Sequence, residues 1–440
     1  MQRLLPIVLQ ASLALIDDSP WQALRQSLLE GRGDTVFQQA AQLKTDLEDR
    51  PTIAVQRAQQ LLAGRPANSA DWTVEDWLIA LPVVLAVNAV IEESRIGGRS
   101  PRSLPAGPVL AETATHYLIR RGPLTRPQRG GWLVPDSPDG LLVGAVPIRK
   151  RLGGASIGLQ SPRVRGVGDP PTTITIVPAL ETPQDLAIRE VAPSSARAHA
   201  GFAVEAMADP ARIVKTTLGA LSRGTWVVLP EGSVSPATLT ALIQGLEKRR
   251  ANTGLVFAGT GCHDGYNRAH VLGPSGRILW QQTKMRLWHV DDQTRLTAWF
   301  GHPPKHALPY QEATNIGETI TIVDLPKAGR ILIAICEDLE RDTAPLRDVI
   351  RLSRPDWIIS PVFDTGTGID RWSGRRARDH ATRGATTIIA TPAALTRLER
   401  PGDTVITVGL ITLPSGLAMP LTIDAAACGT GVAPPMDLPR

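Results

Sequence analysis

The chain has 440 residues, of which 42% are hydrophobic and 20% are charged, and its formal net charge is +5. This length exceeds one ordinary hydrophobic core and predicts two or three domains, while the apolar fraction excludes a wholly disordered protein. The modest positive charge does not by itself indicate a nucleic-acid partner. The cysteines Cys262, Cys336 and Cys428 are widely spaced, and their pattern is neither a disulfide framework nor a zinc motif. We therefore expect a reducing, cytoplasmic location.

Residues 1–97 predict a helical N-terminal domain. Thr73 and Asp76 have the spacing of a capping box that opens an apolar helix over Trp77–Ile91. That helix is shorter than a membrane span and contains Pro82, so we expect it to be buried in protein and not to cross a membrane. The region has no visible chemistry, and a partner-binding domain and a structural extension are both compatible with it.

The first residues of the chain resemble an export signal, because Arg3 precedes an apolar run. Pro6 and Gln10 interrupt that run, and its apolar residues recur at helical spacing. We therefore favour a folded helix over an export signal.

Residues 98–171 predict a linker rich in Gly, Pro and Arg, or a small β-containing segment. The short apolar run Leu141–Val146 is typical of a strand or hairpin. Because the arginines between Arg120 and Arg165 outnumber the acidic residues there, Asp136 and Asp139, the segment is a candidate anion or nucleic-acid surface. No aromatic residues alternate with these arginines, so we favour a solvated linker and do not expect nucleic-acid binding.

Residues 172–440 predict an α/β domain, because short β-rich runs alternate with helical segments. The candidate strands are Thr173–Val177, Trp226–Leu229, Gly254–Ala258, Ala269–Leu272, Ile320–Val323, Ile331–Ile335, Trp357–Ser360, Thr387–Ala390 and Val405–Thr412. The candidate helices are Ala211–Ser222, Pro236–Arg249, Pro345–Ser353 and Arg371–Arg383.

The segment Gly329–Leu339, with the sequence GRILIAICEDL, places a thiol where a buried strand is predicted to end. Its consecutive apolar residues Ile331–Ile335 predict an interior strand that leads to Cys336. A thiol followed by polar residues at such a position is typical of an enzymatic nucleophile. The alternative is structural, because a free cysteine is often buried and packs as a small hydrophobic residue.

Two further polar residues occupy positions that suit partners of Cys336. Glu231 follows the predicted strand Trp226–Leu229, and Lys284 follows a hairpin-like segment with a Gly-Pro-Ser-Gly turn. Each residue alone is a weak signal, since charged groups at strand ends are mostly solvated.

In combination, the segments VVLPEGS, YNRAHVLGPSGRILWQQTKMRL and GRILIAICEDL resemble those of the nitrilase, or carbon-nitrogen hydrolase, superfamily. The resemblance covers residues 172–424 and all three catalytic segments in their expected order. The middle segment is the most specific, because a Tyr-Asn pair, a strand, a turn, a second strand and a lysine all match. The resemblance implies a four-layer α-β-β-α sandwich, here preceded by the N-terminal helical domain, and a fold that often forms homo-oligomers.

By this resemblance Glu231 is the general base, Lys284 stabilises the tetrahedral intermediate, and Cys336 is the nucleophile. The family often has a second glutamate between the lysine and the cysteine, and Glu312 is the best match here. These roles agree with elementary chemistry, because a thiol with a pKa of about 8.5 needs a base near neutral pH and an ammonium group favours the anion. No step requires a metal or a cofactor.

The resemblance also has departures. Glu337 follows the nucleophile where the family commonly has an aromatic residue, and the resulting Cys-Glu-Asp sequence resembles the glutamine-hydrolysing domain of glutamine-dependent NAD synthetases. The backbone N–H of Glu337 can serve the oxyanion whatever its side chain. Thr391 stands where an asparagine often occurs, and Phe363 follows the strand that leads to the expected substrate-pocket loop.

The leading functional hypothesis is a cysteine hydrolase that cleaves a non-peptide amide through a thioester. Nitrile hydrolysis and acyl transfer to an amine or alcohol are enzymatic alternatives. The non-enzymatic alternative is a regulatory protein whose nitrilase-like domain senses a small molecule and whose N-terminal helices bind a protein partner. Retention of the glutamate, the lysine and the cysteine together favours the enzyme. The expected partners are a small-molecule amide or nitrile and a second copy of the chain, with no membrane.

Overall fold

The computed structural model describes residues 2–17, 21–63, 65–66, 71–93, 109–120, 142, 144–162, 170–194, 198–221, 226–249, 254–325, 328–341, 343–365, 368–424 and 436–437. The chain divides into two compact units. The first comprises residues 1–152 and 348–355, and the second comprises residues 153–347 and 356–440.

The described helices are α1 Leu5–Asp17, α2 Trp21–Ser27, α3 Gly33–Asp49, α4 Pro51–Leu62, α5 Val74–Glu93, α6 Pro210–Leu221, α7 Pro236–Arg249, α8 Gln293–Phe300, α9 Glu337–Glu340, α10 Leu346–Ser353, α11 Trp372–Ala381 and α12 Ala393–Glu399. A π-helical turn, Leu28–Arg32, and a 3-10 turn, Pro183–Asp185, complete the helical elements of the described residues.

The described strands are β1 Val109–Glu112, β2 His116–Arg120, β3 Ala145–Arg149, β4 Arg151–Leu152, β5 Ala155–Gln160, β6 Thr173–Ile176, β7 Leu186–Val191, β8 Gly201–Ala206, β9 Trp226–Val234, β10 Leu255–His263, β11 Tyr266–Leu272, β12 Ile278–Thr283, β13 His289–Val290, β14 Tyr310–Glu312, β15 Thr319–Leu325, β16 Gly329–Ile333, β17 Trp357–Pro361, β18 Thr386–Ala390, β19 Val405–Thr412, β20 Ala418–Asp424 and β21 Met436–Asp437.

The first unit combines helices α1–α5 with the antiparallel sheet β1-β2-β3. Helix α3 packs against α4 and α5, and α1 packs against α5 and the sheet. The predicted capping box at the start of α5 is confirmed, because the Thr73 N–H donates to the Asp76 carboxylate at 3.0 Å and the Asp76 N–H donates to the Thr73 hydroxyl at 3.2 Å. Two orphan amides of the helix terminus are thereby satisfied.

Helix α5 is the central buried element of the first unit. Within it, Val74–Glu92 is long and apolar enough to cross a membrane by length and composition, with a mean hydropathy of 1.9, and 78% of that window is buried inside the protein. Its polar Asn88 is satisfied internally: the side-chain carbonyl accepts from the Gly144 and Ala145 N–H groups at 3.2 and 2.8 Å. The prediction of a buried helix is thus confirmed, whereas the prediction that it is shorter than a membrane span is wrong, because the helix extends beyond Trp77–Ile91 at both ends.

The second unit is built on two stacked sheets. The larger sheet runs in the order β20-β19-β18-β17-β16-β15-β5, and the smaller one runs β12-β11-β10-β9-β6-β21. Strand β9 packs against β17 and β18 of the opposite sheet. Helices α6 and α7 cover the smaller sheet, and α11 covers β18 and β19. These are the layers of the predicted α-β-β-α sandwich, which is therefore confirmed.

The two sheets approach each other closely at Gly409. A Cβ atom there would lie 2.0 Å from Cδ1 of Ile176 in the facing sheet, so only glycine fits. A third sheet, with four strands in the order β13-β14-β8-β7, carries Glu312 on β14.

The sequence-based domain ranges 1–97, 98–171 and 172–440 differ from the two compact units. Strand β5, which falls within the predicted linker, pairs in parallel with β15 and so belongs to the larger sheet of the second unit. The segment from 121 to 141 in that linker lies outside the described residues. The division of the chain into these three ranges stays a prediction.

Candidate active site

Cys336 lies in a tight turn between strand β16 and the short helix α9. The strand was predicted to continue to Ile335, but it ends at Ile333, because the Ile335 carbonyl turns to accept the Asp338 N–H at 3.0 Å and starts the helix. Cys336 itself has φ 46° and ψ −104°, a conformation that non-glycine residues rarely adopt. Its N–H donates to the Pro361 carbonyl at 3.0 Å, which helps to hold the strained turn. Such strain costs of order 1–3 kcal/mol and is concentrated at functional sites.

Lys284 lies at the centre of a buried charge cluster. Its ammonium group is 2.6 Å from Oε1 of Glu231 and 2.5 Å from Oε2 of Glu312. Lys284 is only 1% exposed, and both glutamates are buried as well. Strand β9 delivers Glu231, the segment after β12 delivers Lys284, and β14 delivers Glu312. Segments far apart in sequence therefore converge on one point.

Asn267 on β11 joins the two carboxylates. Its side-chain amide donates to Oε1 of Glu231 at 2.6 Å and to Oε1 of Glu312 at 2.7 Å. The other oxygen of Glu231, Oε2, is buried and makes no hydrogen bond with the residues that the structure describes. Sequence analysis matched the Tyr-Asn pair only as part of a motif and did not name Asn267 as a site residue. The available signal was its place in the Tyr-Asn pair, at the start of the hairpin-like segment that leads to Lys284.

The charges of this cluster shift the pKa values of its members. Burial alone would lower the pKa of Lys284, but the adjacent Glu231 and Glu312 carboxylates prevail and raise it well above its usual value. Burial raises the pKa of Glu231, although the lysine opposes this shift. Burial also raises the pKa of the Cys336 thiol, Glu231 adds to the increase, and Lys284 and the Phe363 N–H oppose it. Because both pKa values are raised, the Cys336 thiol is protonated and Lys284 is charged at neutral pH.

Asp338 ties the nucleophile turn to the lysine segment. Its buried carboxyl accepts from the Met285 N–H at 3.0 and 3.1 Å and from the Ile335 N–H at 3.3 Å. Burial raises the pKa of Asp338 to about 7, although Lys284 opposes this shift. Sequence analysis did not single out this residue, because an acid two positions after a cysteine has no distinctive pattern on its own.

The raised pKa of Asp338 predicts a pH-dependent contribution to stability. Between the ordinary pKa of 3.8 and the folded-state value of about 7, the folded protein binds more protons than the unfolded chain. This contribution to the free energy of unfolding is therefore complete at low pH and is lost as the pH rises through 7. We expect Asp338→Asn, which keeps an acceptor for the Met285 N–H, to lose less stability between pH 5 and pH 8 than the wild type. Urea unfolding at the two pH values measures this, and equal losses in the two proteins would refute it.

A cavity with about 330 Å³ of empty space adjoins the charge cluster. Glu231, Lys284 and Glu312 form its polar part. Its apolar lining includes Phe202, Val204, Trp288 and Phe363. The predicted contact residue Phe363 thus lies at the cavity, and its N–H is directed at the Cys336 sulfur.

An arginine fixes the aromatic wall of this cavity. The Arg295 guanidinium lies 4.8 Å from the ring centroid of Trp288 and 5.3 Å from that of Trp299. It also pairs with Asp364 at 2.6 Å and with Glu399 at 2.7 Å. Helix α8, which carries Arg295, was not among the predicted helices, so sequence analysis missed this support.

Glu337 begins helix α9, where backbone N–H groups have no partner within the helix. Its role as a donor to the oxyanion stays a prediction. The Glu337 side chain pairs with Arg341 on the next turn. Of the other cysteines, Cys262 is exposed and lines the same cavity as Glu231, while Cys428 lies outside the described residues.

No protein-family model matches the chain, and no curated protein matches it either. Among solved structures, an amidase from Nesterenkonia sp. aligns at 15% identity and a TM-score of 0.37, covering 63% of this chain and 92% of that one. Saccharomyces cerevisiae Nit3, a member of branch 10 of the nitrilase superfamily, aligns at 16% identity and a TM-score of 0.36, covering 63% and 93%. In fold, the chain is similar to these nitrilase-superfamily proteins over about 63% of its length.

Proposed function

We propose that this protein is a carbon-nitrogen hydrolase that cleaves a small amide through a thioester on Cys336. The observation that carries the proposal is the buried Lys284 ammonium group, which lies 2.6 and 2.5 Å from two carboxylates. Its positive charge acts on the Cys336 thiol, which lies just after the core strand β16. A buried charge cluster of this kind costs folding free energy, and perturbed groups at a cavity are typical of catalytic sites.

Glu231 is the proposed general base. Its Oε1 is occupied by Lys284 and Asn267, which leaves the buried Oε2 without a partner among the described residues and available to accept the thiol proton. Because burial raises the pKa of this carboxyl, Glu231 is a stronger base than a solvated glutamate. Glu312 has the complementary task of holding the lysine, since its Oε2 lies 2.5 Å from the ammonium nitrogen.

The proposed reaction has two balanced steps. In the first, the thiol proton moves to Glu231 while the sulfur bonds to the amide carbon, and the new oxyanion is met by Lys284 and the Glu337 N–H. The carbon-nitrogen bond then breaks, and the proton on Glu231 passes to the leaving amine. In the second, Glu231 takes a proton from water, and the resulting hydroxide attacks the thioester. The carbon-sulfur bond then breaks to release the acid, and the proton on Glu231 passes to the sulfur and restores the thiol.

The lining of the cavity supports a substrate with an uncharged acyl group. Apart from the cluster of Glu231, Lys284 and Glu312, the residues that line it carry no charge. Its aromatic wall offers dispersion contacts to the acyl group.

Ammonia release from a panel of short-chain primary amides tests this function. We expect activity in the wild-type protein and a loss on the order of 10⁴-fold in Cys336→Ala, because removal of a nucleophile disables the whole catalytic unit. Cys262→Ala is the matched control and should retain activity. A protein that binds these amides but releases no ammonia would instead favour the sensing hypothesis.

A further inference from the structure

A second groove lies on the outer surface of the second unit, between helices α9 and α11. It has about 1110 Å³ of empty space, open to solvent. Its charged lining consists of Glu340, Arg341, Arg375, Arg376, Arg378 and Asp379. Four guanidinium groups face two carboxyl groups, so the lining has an excess of two positive charges. It shares no lining residue with the cavity beside Cys336.

Three of the four arginines of this groove lie on helix α11. Helix α11 buries small residues against β18 and β19 and turns its charged side outward. Arg375 and Arg378 are three positions apart and so share one side of the helix, where like charges repel. Arg378 lies in the last turn of α11, where a cation complements the helix dipole, whereas Arg375 lies before that turn. A bound anion would offset the repulsion between the two guanidinium groups.

Two of the arginines have partners within the protein. The Arg376 side chain donates to the Glu340 carbonyl at 2.8 Å and lies 3.6 Å from the Asp379 carboxylate, while Arg341 pairs with Glu337. By contrast, Arg375 and Arg378 form no ion pair or side-chain hydrogen bond with any residue that the structure describes. Arg375 is exposed and Arg378 is half-buried.

We propose that this groove binds a small oxyanion with several negative charges, carried by phosphate or carboxylate groups, and that Arg375 and Arg378 are its principal ligands. A guanidinium group presents a planar fork of donors that matches these groups in a bidentate geometry. Two such forks on one side of a helix suit an anion with at least two charged groups. Burial and the nearby Glu337 raise the pKa of Glu340 to about 7, so this carboxyl opposes an anion less at neutral pH than an ordinary glutamate does.

The shape of the groove favours a small ligand over a nucleic acid. Helix α11 has 10 residues, and a helix of that size is about 15 Å long. A nucleic-acid surface follows the phosphate backbone with an extended row of cations, often with aromatic side chains for stacking. Here the positive charges are confined to one concave site and are flanked by carboxyl groups.

Calorimetric titration of the full chain with pyrophosphate and, separately, with citrate tests the site. We expect saturable binding of at least one anion, weaker at high salt, and at least about tenfold weaker in Arg375→Gln/Arg378→Gln. The matched control is Lys248→Gln/Arg277→Gln, which removes two exposed positive charges elsewhere and should bind like the wild type. The exposed single variant Arg375→Gln should show an intermediate loss if the double variant folds poorly.

Three results would overturn the proposal. In the first, the wild type binds neither anion. In the second, the groove variant and the control variant bind the anions equally well. In the third, the wild type binds a short DNA duplex more tightly than either anion, and the groove variant does not bind that duplex. A preference for pyrophosphate identifies phosphate as the recognised group, and a preference for citrate identifies carboxylates. Neither outcome depends on hydrolysis at Cys336, because the two sites share no lining residue.

Discussion

Glu231→Gln is expected to lower kcat/KM for an amide substrate by about 10³-fold, because glutamine keeps the shape of the side chain but cannot accept the thiol proton. The amide oxygen of the glutamine can still accept from Lys284 and Asn267, which now both donate to Oε1 of Glu231. The loss should therefore appear mainly in kcat and not in the folding of the site.

The pH profile distinguishes a base from a structural role. In the wild type, kcat/KM should rise with pH as Glu231 loses its proton, at a pH above the usual glutamate range because burial raises the pKa of this group. Glu231→Gln should lack that limb of the profile. As a control, Glu247→Gln on the exposed side of α7 removes a carboxylate without touching the cavity and should leave the profile unchanged. Retention of the acidic limb in Glu231→Gln would refute the base assignment.

Lys284→Met is expected to abolish turnover and to destabilise the protein by about 3–5 kcal/mol, since it leaves two buried carboxylates without their cation. Lys284 is 1% exposed, and the side chains of Glu231 and Glu312 are 4% and 11% exposed, so water cannot replace the ammonium well. Denaturant unfolding measures the loss of stability, and ammonia release measures turnover.

A second substitution separates the two effects of Lys284. In Lys284→Met/Glu312→Gln, one of the unpaired charges is removed, so part of the lost stability should return. Turnover should not return, because the oxyanion still lacks its ammonium partner. If Lys284→Met were as stable as the wild type, or if the double variant regained activity, the proposed charge cluster would be wrong.

Part of the site was predictable from local sequence. The apolar runs before Glu231 and Cys336 are visible in the sequence, and the turn before Lys284 has distinctive glycine and proline residues. The expectation that Glu231 follows its strand was wrong, because β9 continues to Val234 and contains it. Glu312 was identified only as the best match to a second glutamate, and the structure places it 2.5 Å from the lysine. The layers of the sandwich followed from the resemblance and agree with the observed packing of helices and sheets.

Other features depend on long-range contacts that periodicity does not reveal. Asp338 has its significance only because the folded chain brings the Met285 N–H to its carboxyl. Strand β5 falls in a region rich in glycine and arginine, yet it is ordered by pairing with β15. Arg295 lies on an unpredicted helix, and its task of bracing Trp288 requires ion pairs with residues about seventy to a hundred positions away. Local sequence determines such elements weakly, because tertiary pairing overrides propensity.

The mass of the intact protein, after mixing with an amide substrate and rapid acid quenching, tests directly whether Cys336 forms a thioester. We expect an added acyl group on the wild-type protein or on a slowly hydrolysing variant, located by peptide mapping to Cys336, absent from Cys336→Ala and retained in Cys262→Ala. An adduct on Cys262 in its place, or hydrolysis that persists in Cys336→Ala, would contradict it.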